Sequence, residues 1–325
     1  MNAGWWVGLL LLAAWLLLKR ARVSYAVNVT QNLRAPQAKV WAAIEDLAQW
    51  PRWSPWALHA PDADPQFERP RDVGGVYRWD GQGVGAGRIT CTGRPSEHTL
   101  QVELHLWRPV QLKASTTLEV RELDALNTKA RWTLSGQLPL YLAPMRPRLQ
   151  RLLSQDLELG LLRLAGAVNP AASHPRLSFG EVAERVSFHA ISHRESTTTQ
   201  GLAQVFGEWL PQLKAQAGEA CVDAPLGVYH RIDAQSDEVD LEIACPVPEG
   251  TSGAHVIRGG HYFKVTLQGD LKFLRLAWHA AHSQARMRQL KWDANSPALE
   301  RYLSDPAQVP QPNGWITELY LPVQE

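Results

Sequence analysis

The segments EIACPV at 242–247 and ELYLPV at 318–323 are near copies, displaced by 76 positions (318 minus 242). A repeat of that period means that the second half of the chain is built from two similar supersecondary units, neither of which can bury its apolar face alone. The first unit reads as a strand over 183–195, a helix over 199–216 and strands over 226–232 and 239–247. The second reads as a strand over 255–267, a helix over 270–290 and strands over 297–303 and 315–323. Apolar stripes run along both helices: Leu202, Phe206, Trp209 and Leu213 on one, Leu271, Leu274, Trp278 and Ala281 on the other. Two βαββ units of this kind are expected to join their strands into one sheet and cover it with the two helices.

The first half has a different order. Val23, Tyr25, Val27 and Val29 alternate with polar or small residues as in a half-buried strand, and Pro36 then opens a helix with Val40, Ile44 and Leu47 on its core face. Pro51 and Pro55 in QWPRWSPW stop that helix. Several probable strands follow, separated by turn residues, and a leucine-rich helix over 148–168 closes the series. Strand, helix, antiparallel meander and long helix is the order of a helix-grip fold.

Ahead of both lies a run of sixteen uncharged residues, Ala3 to Leu18. At ~1.5 Å per residue a helix of this length spans roughly 24 Å of a ~30 Å hydrocarbon layer. Lys19, Arg20 and Arg22 follow it and no charged side chain precedes it, so the run predicts a single-pass anchor rather than a cleaved signal. The positive-inside rule then expects an inner-membrane protein with its soluble domains in the cytoplasm. The fold class expected is α+β: an anchor over 3–20, a helix-grip antiparallel sheet domain over 23–168, a Pro- and Ala-rich linker over 169–178, and a duplicated βαββ domain over 179–325.

Two resemblances sharpen these expectations. APQAKVWAAIEDLAQWPRWSPW with YRWDGQGVGAGRI resembles the SRPBCC superfamily of polyketide cyclase and START-related proteins. In that family sheet and long helix enclose a deep apolar cavity that serves transport, sensing or catalysis. The stretches GGHYFKVTLQGD, ALERYLSDP and WITELYLPV resemble the effector-binding domain of AraC-type regulators, also called the gyrase-inhibitor-like domain. There the ligand lies between the two repeats and a Glu before x-Tyr projects into the groove. Glu300 occupies that position here, as a buried carboxylate without a permanent partner. One departure is LQGD, where relatives often carry His before the Gly, so the type of ligand is not implied.

The residues expected to bind ligand are therefore Glu300, Tyr302, Trp278, Tyr262 and Trp209 in the second domain, and Trp53 and Trp79 on the wall of the first cavity. By strand alternation Ala298, Glu300 and Tyr302 share one face, and Leu299, Arg301 and Leu303 the other. Each face carries one charge, so pattern alone leaves Glu300 undecided.

Other chemistries find little support. With 33 Lys and Arg against 32 Asp and Glu there is no basic field for nucleic acid. Cys91, Cys221 and Cys245 are far apart and in no CxxC spacing. GQGVGAG over 81–87 has phosphate-loop composition but precedes a strand, which fits a hairpin. His279 with His282 and His189 with His193 have metal-compatible spacing but no adjacent carboxylate or thiol, so neither metal nor cofactor is expected. The reading is a membrane-anchored protein that binds or senses small hydrophobic or cationic amphipathic ligands. The alternatives are a hydrolase or cyclase using Glu300 as general base, and a scaffold for partner proteins.

Overall fold

The computed structural model describes residues 21–325 apart from 60–62, 82–84, 109–110, 234–235 and 305–307. The anchor expected over 3–20 lies outside the described residues; among these no helix is long and apolar enough to cross a membrane. The chain is mixed α+β with two antiparallel sheets and divides into two compact units between Ala172 and Ser173.

In the first unit, strand β1 (Arg22–Leu33) leads to helix α1 (Gln37–Glu45), a 3-10 segment (Leu47–Arg52) and the short helix α2 (Pro55–Leu58). Strands β2 (Gln66–Glu68), β3 (Val76–Asp80), β4 (Ala86–Ser96), β5 (Thr99–Arg108), β6 (Leu112–Asp124) and β7 (Asn127–Pro139) form an antiparallel meander. β1 adds beside β7, and helix α3 (Arg146–Val168) packs on β1, α1 and α2. The alternation seen in sequence is realised on β1, where Tyr25 and Val27 are buried and their neighbours exposed.

The Trp-x-x-Trp motif has a local cause. Helix α1 ends at Glu45 with its last carbonyls unpaired within the helix, and the Trp53 and Trp50 indoles donate to Ala43 O (3.0 Å) and Ile44 O (2.9 Å). Arg94 donates to Glu45 O (2.9 Å), so three consecutive end carbonyls are satisfied by side chains. The two rings then pack with Trp132, at centroid distances of 6.0 Å from Trp50 and 5.5 Å from Trp53. Gly160 lets α3 approach this nest: a Cβ there would lie 2.5 Å from the Trp132 ring.

The second unit contains β8 (Arg176–Arg185), β9 (Phe188–Thr198), helix α4 (Leu202–Ala217), β10 (Leu226–Asp233), β11 (Glu238–Val247), β12 (His255–Ile257), β13 (Gly260–Gln268), helix α5 (Leu274–Met287), β14 (Ala298–Tyr302) and β15 (Ile316–Pro322). Their order in the sheet is β12-β9-β11-β10-β14-β15-β13-β8. Exchanging β8 with β12, β9 with β13, β10 with β14 and β11 with β15 and reversing the list returns the same order. The topology therefore has a two-fold pattern centred between β10 and β14.

Two strands expected to be continuous are broken. The run 183–195 divides between β8 and β9, and 255–267 between β12 and β13. At each break the chain changes partners: β8 pairs with β13 and β12 with β9, so each half lends its leading strand to the other. The two crossings touch, since a Cβ on Gly259 would lie 1.9 Å from Arg185 O, and only glycine fits there. Gly259-Gly260 marks the second break in the sequence, but nothing local shows that the chain changes partner there.

Candidate functional site

Helix α4 packs over β9 and β11, and α5 over β13 and β15. The central pair β10 and β14 is left between the two helices, and there the second unit holds a cavity of about 1250 Å³. Its walls include Leu202, Phe206 and Leu210 from α4, Leu274 and Trp278 from α5, and Tyr229, Glu300 and Tyr302 from the sheet. This corrects the reading of the helical stripes. Leu202, Phe206, Leu271, Leu274 and Trp278 line the cavity, and of these Leu202, Phe206 and Trp278 also pack against the core beside it. The buried residues of the helices are Val205, Leu213 and Ala217 on α4 and Leu276, Ala277, Ala280 and Ala281 on α5. Periodicity finds an apolar face, but a cavity wall and a packed core have the same composition.

Glu300 is buried, 3% exposed, on the floor of this cavity. Its side chain is not without partners. Tyr229 Oη donates to Oε2 (2.7 Å), Tyr302 Oη donates to the same oxygen, and Trp278 Nε1 donates to Oε1 (2.5 Å). All three donors are neutral, so they orient the carboxylate without cancelling its charge. Burial first, and the negative charge of Glu300 second, push both phenols well above the ordinary tyrosine range, which keeps them protonated as donors.

The register explains how the group is housed. Glu300 lies opposite Gly227 on β10 and Leu319 on β15. A Cβ at Gly227 would fall 2.8 Å from the Phe206 ring and 3.4 Å from the Tyr302 hydroxyl. The missing side chain makes room for Tyr302, whose ring meets Phe206 edge-on at 5.3 Å. The second charge on this strand, Arg301, turns the other way and pairs with Asp223 and with Glu318 (3.0 Å). His282 also lines the cavity; burial, with Arg286 and His279 adding, pushes it down to about 4, so it is neutral at pH 7.

Of the residues expected from sequence, Glu300, Tyr302 and Trp278 come together on this cavity. Tyr262 and Trp209 do not line it. Tyr262 is buried in a separate apolar cluster against Tyr320. Trp209 stacks on His193 with ring centroids 3.5 Å apart, and His193 hydrogen-bonds Glu195 Oε2 (2.8 Å). Trp53 and Trp79 are core side chains of the first unit, Trp53 capping α1 and Trp79 packed on Tyr77 at 5.0 Å. Tyr229 and Phe206 were missed as site residues. Tyr229 could have been found by treating β10 as the counterpart of β14 in the repeat. Among the described residues no group of three or more His, Cys, Asp or Glu is placed to hold a metal ion.

A second buried carboxylate belongs to the repeat itself. Glu242 and Glu318 hold the same place in EIACPV and ELYLPV. Glu242 meets His230 (2.7 Å), His255 (2.8 Å) and the Ser192 hydroxyl (2.5 Å), whereas Glu318 meets Lys264, Arg301 and Tyr320. Burial alone would raise the Glu242 carboxyl, but hydrogen bonds from His230 and Ser192 and the charges of His255 and His230 bring it down to about 2.

Residues 24–169 match the family model described as polyketide cyclase / dehydrase and lipid transport, a span from β1 to the end of α3 and just under half of the chain. No curated protein matches the chain in sequence. Among solved structures, a Thermobifida fusca protein determined by NMR is 19% identical and covers 46% of this chain and 96% of its own, with a TM-score of 0.36. XoxI from Bacillus cereus is 16% identical over 44% of this chain and 94% of its own, with a TM-score of 0.35. CalU16 from Micromonospora echinospora is 14% identical over 47% and 88%, with a TM-score of 0.32.

Proposed function

We propose that the chain is a membrane-anchored protein that binds or senses small amphipathic molecules. In this reading residues 179–325 are a gyrase-inhibitor-like effector-binding domain formed by a duplicated βαββ unit, and the first domain takes hydrophobic ligands of the kind its family description names. The observation that carries it is the Glu300 carboxylate, buried on the floor of an aromatic cavity and held by three neutral donors. A cationic group entering there would meet an uncancelled charge and the faces of Trp278, Tyr302 and Phe206, while its apolar body contacts the leucines of the two helices. The volume, about 1250 Å³, lies above the ~300–1,000 Å³ usual for drug-sized ligands, so a bulky molecule fits.

Titration calorimetry with a lipophilic aromatic cation such as tetraphenylphosphonium tests this. Wild type should bind it, and Glu300→Gln should weaken binding by about 1–3 kcal/mol, the range for losing an interaction with a charged group. Neutral triphenylphosphine oxide should bind both alike. Equal affinity of the two proteins for the cation would sink the reading. The open cavity speaks against the scaffold alternative. A general-base role for Glu300 is less supported because both its oxygens already accept hydrogen bonds; ester turnover lost in Glu300→Gln would restore it. The inner-membrane anchor over 3–20 and cytoplasmic placement are supported by the charge pattern around Ala3–Leu18. A reporter active only in the periplasm, fused after Glu325, should stay silent, and strong activity would reverse the orientation.

A further inference from the structure

A 3-10 turn, Leu140–Met145, joins β7 to α3, and on it apolar side chains stand in solvent. Leu140, Tyr141 and Met145 are 39%, 61% and 52% exposed. Positive charge follows directly: Arg146, Arg148 and Arg151 are all exposed, and residues 140–155 contain no Asp or Glu. Clustered apolar side chains beside arginines, one of them a tyrosine, is the composition of an element that lies in a membrane interface.

The position of the turn makes the same point independently. The Leu140 N–H donates to Ala21 O (2.9 Å), and Arg22 opens β1 opposite Pro139. The patch is thus held against residue 21, three positions beyond Leu18, where the uncharged run ends. Three extended residues reach at most ~11 Å, while the headgroup layer on one side of a bilayer is roughly 5–8 Å deep. A turn bonded at that point cannot stand far from the surface. Exposure alone would not single it out: Leu126, at the β6–β7 turn, is 70% exposed, but it lies beside Glu122 and Asp124 and is not tied to the start of the chain.

We propose that the Leu140–Arg148 turn is a second membrane contact. Leu140, Tyr141 and Met145 enter the interface of an anionic leaflet, and Arg146 and Arg148 engage its headgroups. The first unit is then fixed at two points instead of swinging on a tether. This rests on reading residues 3–20 as an anchor.

The test uses the full chain in nanodiscs of phosphatidylcholine and phosphatidylglycerol containing a lipid with a photoactivatable diazirine near the glycerol backbone, with adducts mapped by mass spectrometry. Adducts are expected on 3–20 and on 140–148, with none on 122–127, and the 140–148 adducts should fall several-fold in pure phosphatidylcholine. The combined change Leu140→Ser, Tyr141→Ser and Met145→Ser, all at exposed positions, should abolish the second set and leave the first, with thermal unfolding unchanged. Adducts on 3–20 alone would overturn the second contact while the anchor stands. Adducts on neither would overturn the anchor and this proposal together. Adducts on 122–127 as strong as on 140–148 would reduce the signal to general exposure and overturn the proposal.

Discussion

Gly227 faces Glu300 directly across the β10–β14 pair, and the absent side chain is what admits the Tyr302 hydroxyl and the Phe206 ring beside the carboxylate. Replacing Gly227 with Val should therefore displace both rings and close the floor of the cavity. Overpacking of this kind costs typically ~1–3 kcal/mol. Urea denaturation should show a folded protein with that loss, and calorimetry should show tetraphenylphosphonium binding weakened at least as much as in Glu300→Gln. Retained affinity would mean that the ligand does not reach Glu300.

Tyr302→Phe keeps the ring against Phe206 and removes one donor from Glu300 Oε2. A hydrogen bond to a charged group contributes about 1.5–3 kcal/mol. The variant should lose stability in that range by chemical denaturation, and the double mutant with Glu300→Gln should lose much less than the sum of the two single losses. Additivity in this double-mutant cycle would show that the bond contributes little.

Gly160 tests the tryptophan nest. By helix propensity alone Gly160→Ala should stabilise α3 by about 1 kcal/mol. The added methyl would meet the Trp132 ring at 2.5 Å and Pro55 at 2.9 Å, neither of them a flexible end, so the expected outcome is net destabilisation by roughly 1–3 kcal/mol. Unfolding followed by tryptophan fluorescence decides the sign.

Glu242 makes stability depend on acid. Its folded carboxyl sits at about 2 against an ordinary 4.5, so its contribution is fully present above ~4.5 and is lost as pH falls toward ~2. The shift corresponds to roughly 3 kcal/mol. Urea midpoints measured between pH 6 and pH 2.5 should fall more steeply in wild type than in Glu242→Gln. Parallel curves would assign the acid sensitivity to other groups.

Much of this architecture was legible before any coordinates. Alternation located β1 because that signal is local, whereas the proline pair did not mark the helix end: α1 stops at Glu45, Pro51 lies inside the 3-10 segment and Pro55 opens α2. The 76-residue offset pointed to two similar series, each of which the structure shows with two strands, not one, ahead of its helix. The motif that holds Glu300 and Tyr302 singled out two residues that line the cavity. What stayed hidden was relational. A stripe such as Leu202 and Phe206 reads the same whether it meets a core or a void, and only the separation of the two helices above β10 and β14 makes it a wall. Trp53 was expected on a cavity and instead satisfies a helix end, because its indole N–H, not its ring area, is what α1 requires. The changes of partner at 186–187 and 258–259 could not be read because the pairing residues lie 65 to 92 positions apart.

That exchange of leading strands has a consequence for synthesis. β8 leaves the ribosome first among the strands of its unit, yet its hydrogen-bonding partner β13 follows only after Thr198, all of α4 and β10 to β12 have been made. During that interval β8 is an unpaired edge, open to strand addition by another nascent chain. Nucleation must also begin elsewhere, in the hairpin of β10 and β11, whose partners are close in sequence. A protein wired this way closes its sheet last at the two outer edges, so truncation before Gly260 leaves β8 without its partner and favours aggregation over a smaller folded product.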